Sequence, residues 1–133
     1  MTFRSAKLLK ASKDQACVRC GKTYGVVGAH YTGVRRLRLG GGYGIKVYDF
    51  LTADLCQECH TYMDTISREK EKRYGHSEEF FYYIALTLER RFIQGVLVVA
   101  RKGEVPGVAL PDRSEASAVD AEGSAQAATG AAV

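Results

Sequence analysis

The chain has no run of apolar residues approaching the roughly 20 needed to cross a bilayer. Its longest apolar cluster, Phe80 to Leu88, is interrupted by Thr87 and followed at once by Glu89, Arg90 and Arg91. Residues 1–13 are basic but lack the apolar core and small-residue cleavage site of a secretory signal. There are no internal repeats. Acidic residues are scarce through most of the chain: up to residue 102, eighteen lysines and arginines face ten aspartates and glutamates. From residue 103 onward the balance inverts to one against five, so the net charge of +4 hides a basic body and an acidic tail. A soluble, cytoplasmic protein is the expectation. The basic body suits a polyanion such as nucleic acid, although simple solubility accounts for it equally well.

At 133 residues the chain fits one domain with a modest core. Residues 1–16 read as a basic lead-in with a weak helical pattern, residues 17–102 as the domain proper. Residues 103–133, rich in Ala, Ser, Gly and acids, read as a disordered tail. Within the domain, Val26-Val27 and Ala29-His30-Tyr31 suit a first strand. The glycine-dense stretch through Gly44 suits a hairpin or loop, and Ile45-Lys46-Val47-Tyr48 suits a second strand. A helix is expected from Gln57. A second helix, N-capped by Ser77, should pack Phe80, Phe81, Ile84, Leu88 and Phe92 against the core and stop near Gly95, with a short strand over residues 96–99.

Only four cysteines occur, and all fall in two matched pairs, Cys17-Val18-Arg19-Cys20 and Cys56-Gln57-Glu58-Cys59. Two thiolates three positions apart can grip one ion through a tight turn, and four complete a closed tetrahedral zinc site that is structural, not catalytic. In a reducing compartment paired cysteines are metal ligands more readily than disulfides. A redox CxxC or four buried thiols would leave the matched pairing unexplained. The 35 intervening residues exceed what a short zinc ribbon uses, so a hairpin must be inserted between the pairs.

Histidine is scarcer still, at three residues. His30 ends the first expected strand. His60 directly follows Cys59, and Asp64 lies four residues later on the same helical face. An imidazole and a carboxylate so spaced can converge on a divalent ion. His76 has no such partner in sequence and is left as an ordinary histidine.

The order CxxC, strand ending in histidine, loop and strand, then CxxCH opening a helix resembles the zinc-stabilised HNH, or ββα-metal, endonucleases. Within them it is most similar to small prophage-encoded proteins. The shared residues are Ala29-His30, Gly42-Tyr43-Gly44-Ile45-Lys46, Asp49, Cys56-Gln57-Glu58-Cys59-His60 and Asp64. The resemblance implies a small α+β fold: a zinc-stapled ββα-metal core, an additional packed helix and the loose tail. It implies metal-dependent hydrolysis of DNA, with RNA the lesser substrate. His30 would be the general base, and Asp49 would orient it by accepting its Nδ1–H bond, with Asp54 as a rival for that place. His60 would bind catalytic Mg²⁺ or Mn²⁺, with Asp64 as second ligand or orienter. Arg35, Arg36, Arg38 and Lys46 would contact phosphates. Two readings from other classes stand beside this: a non-catalytic nucleic-acid-binding module, and a zinc-stapled adaptor for another protein.

Overall fold

The computed structural model describes residues 3–101. The expected tail, residues 103–133, lies outside the described residues. Val26–His30 forms β1, which pairs antiparallel with β2, Thr52–Cys56, so that Val26 stands opposite Cys56 and His30 opposite Thr52. The helices are α1 (Ala6–Lys10), α2 (Gln57–Ile66) and α3 (Arg73–Ile93), with a 3₁₀ turn at Arg36–Leu39 between the strands. This is a small α+β architecture. None of the helices among the described residues is long and apolar enough to cross a membrane.

The second strand therefore lies later than the sequence pattern suggests. Ile45–Tyr48 is not a strand: Ile45 and Lys46 are exposed, and Val47 is buried. Gly42 and Ile45 instead close a tight turn by exchanging backbone hydrogen bonds of 2.9 and 3.3 Å, with Tyr43 and Gly44 at the tip. Gly44 takes φ +69°, a left-handed conformation that glycine adopts without a Cβ penalty. The segment that does pair, Thr52–Cys56, is buried at every position. A strand covered on both faces loses the polar–apolar alternation by which strands are recognised.

One face of the sheet carries Ala29, Ala53 and Leu55, which join Met63 of α2 and Phe80 and Ile84 of α3 in the core. Alternation puts Gly28, His30, Thr52 and Asp54 on the other face. There α1 comes so close that a Cβ on Gly28 would meet Ser12 Oγ at 3.1 Å and Leu9 Cδ2 at 3.4 Å. Leu9 and Ser12 thus pack against this face of the sheet.

Helix α3 begins at Arg73, four residues before the expected cap. Ser77 lies inside it, and its hydroxyl donates to the Arg73 carbonyl at 2.6 Å and accepts from the Val34 amide at 2.9 Å. The helix buries His76, Ser77, Phe80, Ile84, Thr87 and Arg91. Of the expected apolar stripe, Leu88 is only partly buried and Phe81 and Phe92 are exposed, because the stripe that faces the sheet runs through Thr87 and Arg91 instead. It stops as expected at Gly95 (φ +71°), where the Gly95 and Val96 amides return to the Phe92 and Arg91 carbonyls in a Schellman closure. Residues 96–99 form no strand.

A buried carboxylate locks α3 to the sheet. Asp54, fully inaccessible, accepts from Arg90 at 2.8 Å and from Arg91, while its amide donates to Thr87 Oγ1 at 3.0 Å. Arg91 also reaches Ser12 Oγ at 3.2 Å, which brings the residues after α1 into the same network.

Candidate metal centre and histidine site

The first cysteine pair sits on a knuckle whose backbone closes on itself. The Lys22 carbonyl accepts from the Cys17 amide at 2.7 Å, and the Cys17 carbonyl accepts from the Gly21 amide at 2.9 Å. Gly21 supplies the φ of +82° that this curl requires. The Val18 amide donates to the Asp54 carbonyl at 2.9 Å and so ties the knuckle to β2. The second pair follows without a break, because Cys56 ends β2 and Cys59 lies in the first turn of α2.

All four sulfurs fall within 4.8 Å of one another, and no other such group of three or more His, Cys, Asp or Glu ligands occurs among the described residues. Metal–sulfur bonds of about 2.3 Å in a tetrahedron place neighbouring sulfurs about 3.8 Å apart. The Cys20 and Cys56 sulfurs are 3.6 Å apart. The quartet is therefore compatible with a single structural metal. Its thiols are also electrostatically unequal. Burial pushes Cys59 up to about 12, whereas at Cys17 burial is outweighed by hydrogen bonds from the Cys56, Cys20 and Arg19 backbone, bringing it down to about 7. Arg19 donates to Cys59 Sγ at 3.5 Å and stacks 4.1 Å from the Tyr62 ring centroid, placing a cation against the cluster's edge.

His30 lies at the other end of β1. Its Nε2 is 2.8 Å from Asp49 Oδ1. That carboxylate is nearly inaccessible and is held by Arg4 Nη1 at 2.9 Å and by the Ser5 amide at 2.6 Å. Burial works against the Asp49 charge, but bonds from His30, Ser5 and Arg4 outweigh it and keep the carboxyl below its usual range. The carboxylate is an acceptor, so Nε2 carries the proton and Nδ1 presents its lone pair. The expected bond to Nδ1 is thus replaced: Asp49, approaching from the loop after the 3₁₀ turn, meets Nε2 instead. Nδ1 has no hydrogen-bond partner among the described residues. Burial, with Lys46 and Arg4 nearby, lowers the imidazole pKa despite Asp49, so His30 is neutral at pH 7. Asp54, the rival for Asp49, is occupied by Arg90 and Arg91 and does not reach His30.

On α2, His60 Nε2 stands 3.4 Å from Asp64 Oδ2. Asp64 Oδ1 is buried without a hydrogen-bond partner among the described residues, an orphaned carboxylate oxygen that a cation would satisfy. His30 and His60 share no side-chain partner among the described residues; one engages Asp49, the other Asp64. The basic residues also divide. Lys46 acts on His30, Arg36 lines a groove with Asp64, and Arg35 and Arg38 stand exposed at the 3₁₀ turn.

His76, an ordinary histidine by its sequence context, is buried edge-on to Phe80, with ring centroids 5.6 Å apart, and neither nitrogen makes a well-formed hydrogen bond among the described residues. Burial lowers its pKa although the Met63 backbone and the Glu79 and Asp64 charges oppose this. Its place on the stripe with Phe80 and Ile84 was the available signal of that burial. No protein-family model, curated protein or solved structure matches the chain.

Proposed function

We propose that the chain is a zinc-stapled, metal-dependent endonuclease of the HNH kind that hydrolyses phosphodiester bonds in DNA. The observation that carries this reading is the His30–Asp49 pair: a neutral imidazole with one nitrogen fixed by an anchored carboxylate and the other unpartnered. That is the arrangement a general base requires. His30 Nδ1 takes a proton from water as the water oxygen bonds to phosphorus in line. The bond to the 3′ oxygen breaks, and that oxygen leaves with the electron pair and takes a proton from solvent. Asp49 holds the ring and stabilises the imidazolium that forms.

The four thiolates would hold zinc as a closed structural site. His60 and Asp64, with its orphaned Oδ1, would hold Mg²⁺ or Mn²⁺. Such an ion supplies charge stabilisation at the phosphoryl group and the departing oxygen. Arg35, Arg36, Arg38 and Lys46 would neutralise phosphates along the strand.

A second reading, a non-catalytic nucleic-acid-binding module on the same scaffold, is favoured by one observation: His30 and His60 have no side-chain partner in common among the described residues. Nicking of supercoiled plasmid with Mg²⁺ or Mn²⁺ separates the two. The enzyme reading expects nicking by the wild type and a loss of about 10²- to 10⁴-fold in His30→Ala. Tight DNA binding with equal residual nicking by both proteins would favour the module.

A further inference from the structure

Between α2 and the loop leading to the 3₁₀ turn lies a groove of 660 Å³ that the cysteine and histidine sites leave unexplained. Three arginines line it, each from a different place in the chain: Arg36 on the 3₁₀ turn, Arg68 just after α2, and Arg73 at the start of α3. None of them forms an ion pair among the described residues. The one carboxylate in the lining, Asp64, leaves the groove with an excess of positive charge. Thr32, also in the lining, has its hydroxyl buried without a hydrogen-bond partner among the described residues, a donor that an anion's oxygen would satisfy. At the rim Tyr74 is 66% exposed, and the Arg73 guanidinium stands 5.3 Å from its ring centroid. Aromatic surface beside unpaired cations is the pairing by which proteins hold unstacked bases and their phosphates together.

We infer that this groove binds a single strand of nucleic acid, with successive phosphates on Arg36, Arg68 and Arg73 and a base stacked on Tyr74. A duplex offers the same phosphates but keeps its bases stacked on one another, so Tyr74 contributes only to the single strand. The inference rests on the endonuclease reading only for what lies beyond the groove, where Asp64 leads to His60; binding itself needs no turnover.

The test is fluorescence anisotropy of a 5′-fluorescein-labelled single-stranded oligonucleotide and of its duplex, across a KCl series without added Mg²⁺ or Mn²⁺. Zinc content and circular dichroism verify that each variant is folded. Arg68→Gln/Arg73→Gln should make the slope of log K against log[KCl] shallower by about 1.4 for the single strand, from about 0.7 per phosphate contact. Tyr74→Ala should weaken single-strand binding by about 5- to 150-fold and leave duplex binding unchanged, while Tyr74→Phe holds wild-type affinity. An unchanged slope in the double variant, or equal weakening of both ligands by Tyr74→Ala, overturns the groove. Single-strand binding of the expected kind by a protein that never nicks would sink the endonuclease reading and leave the groove standing.

Discussion

The cysteine end and the histidine end of β1 are built on opposite plans. At one end four sulfurs from two distant segments converge within 4.8 Å, three of the four cysteines are buried, and the backbone around them is tied to β2. At the other end, among the described residues, His30 has one side-chain partner, Asp49, and keeps a ring nitrogen unpartnered; His60, directly after Cys59, has Asp64 alone. A group that only holds the fold together gains from saturation. A group that must meet water or a phosphate has to keep a valence in reserve. Among the described residues, His30 Nδ1, Asp64 Oδ1 and Thr32 Oγ1 are without a hydrogen-bond partner, as are both His76 nitrogens and Arg91 Nη1.

The largest effect expected from breaking this contrast is at the sulfurs. Structural zinc contributes an apparent ~10–16 kcal/mol, more than most domains' whole stability. Cys56→Ser should lose the metal and unfold much of the domain by circular dichroism; a variant that stays folded and metal-loaded would refute the four-cysteine assignment. Next is Asp54→Ala, which leaves Arg91 buried without its carboxylate and should cost about 3–5 kcal/mol in a denaturant titration. A loss under 1 kcal/mol would show the network relaxing into solvent.

At the histidine end, Asp49→Asn should retain zinc and most of the stability yet reduce nicking by the same order as His30→Ala. An amide can present its N–H to Nε2 and so move the ring proton to Nδ1. Undiminished nicking would remove Asp49 from the machinery. The smallest effect is on pH. His30 and His76 are both held below the ordinary histidine value of 6.5, so below that value the unfolded chain takes up protons that the folded chain refuses. Their contribution is complete above pH 6.5 and is lost as pH falls from there through the depressed folded values. Thermal melts should show stability declining from pH 6.5 downward, with a shallower decline in His30→Asn.

Local chemistry was legible in the sequence wherever one residue type carries one meaning. The CxxC pairs, the strand ending at His30, the helix opening after Cys56 and the stop at Gly95 all belong to this class. What escaped depends on partners far away in the chain. Thr52–Cys56 hides its strand character because Asp54 sits in its middle, and that charge is tolerable only because Arg90 and Arg91 arrive from α3. A clue was present: Arg91 falls on the same helical stripe as Ile84 and Thr87, and a cation on a buried face calls for a buried anion. The choice of Nε2 over Nδ1 depends on the direction from which Asp49 approaches, which spacing does not encode. Of the groove's arginines only Arg36 stood out in the sequence, as a phosphate contact; Arg68 and Arg73 look like unrelated surface charges until the fold gathers them beside it.

The division of labour between the two ends is tested most directly by measuring zinc content and plasmid nicking on one preparation of His30→Ala beside wild type. The account predicts about one zinc per chain in both proteins and nicking in the wild type alone. Equal nicking by the two, or loss of zinc from the histidine variant, would contradict it.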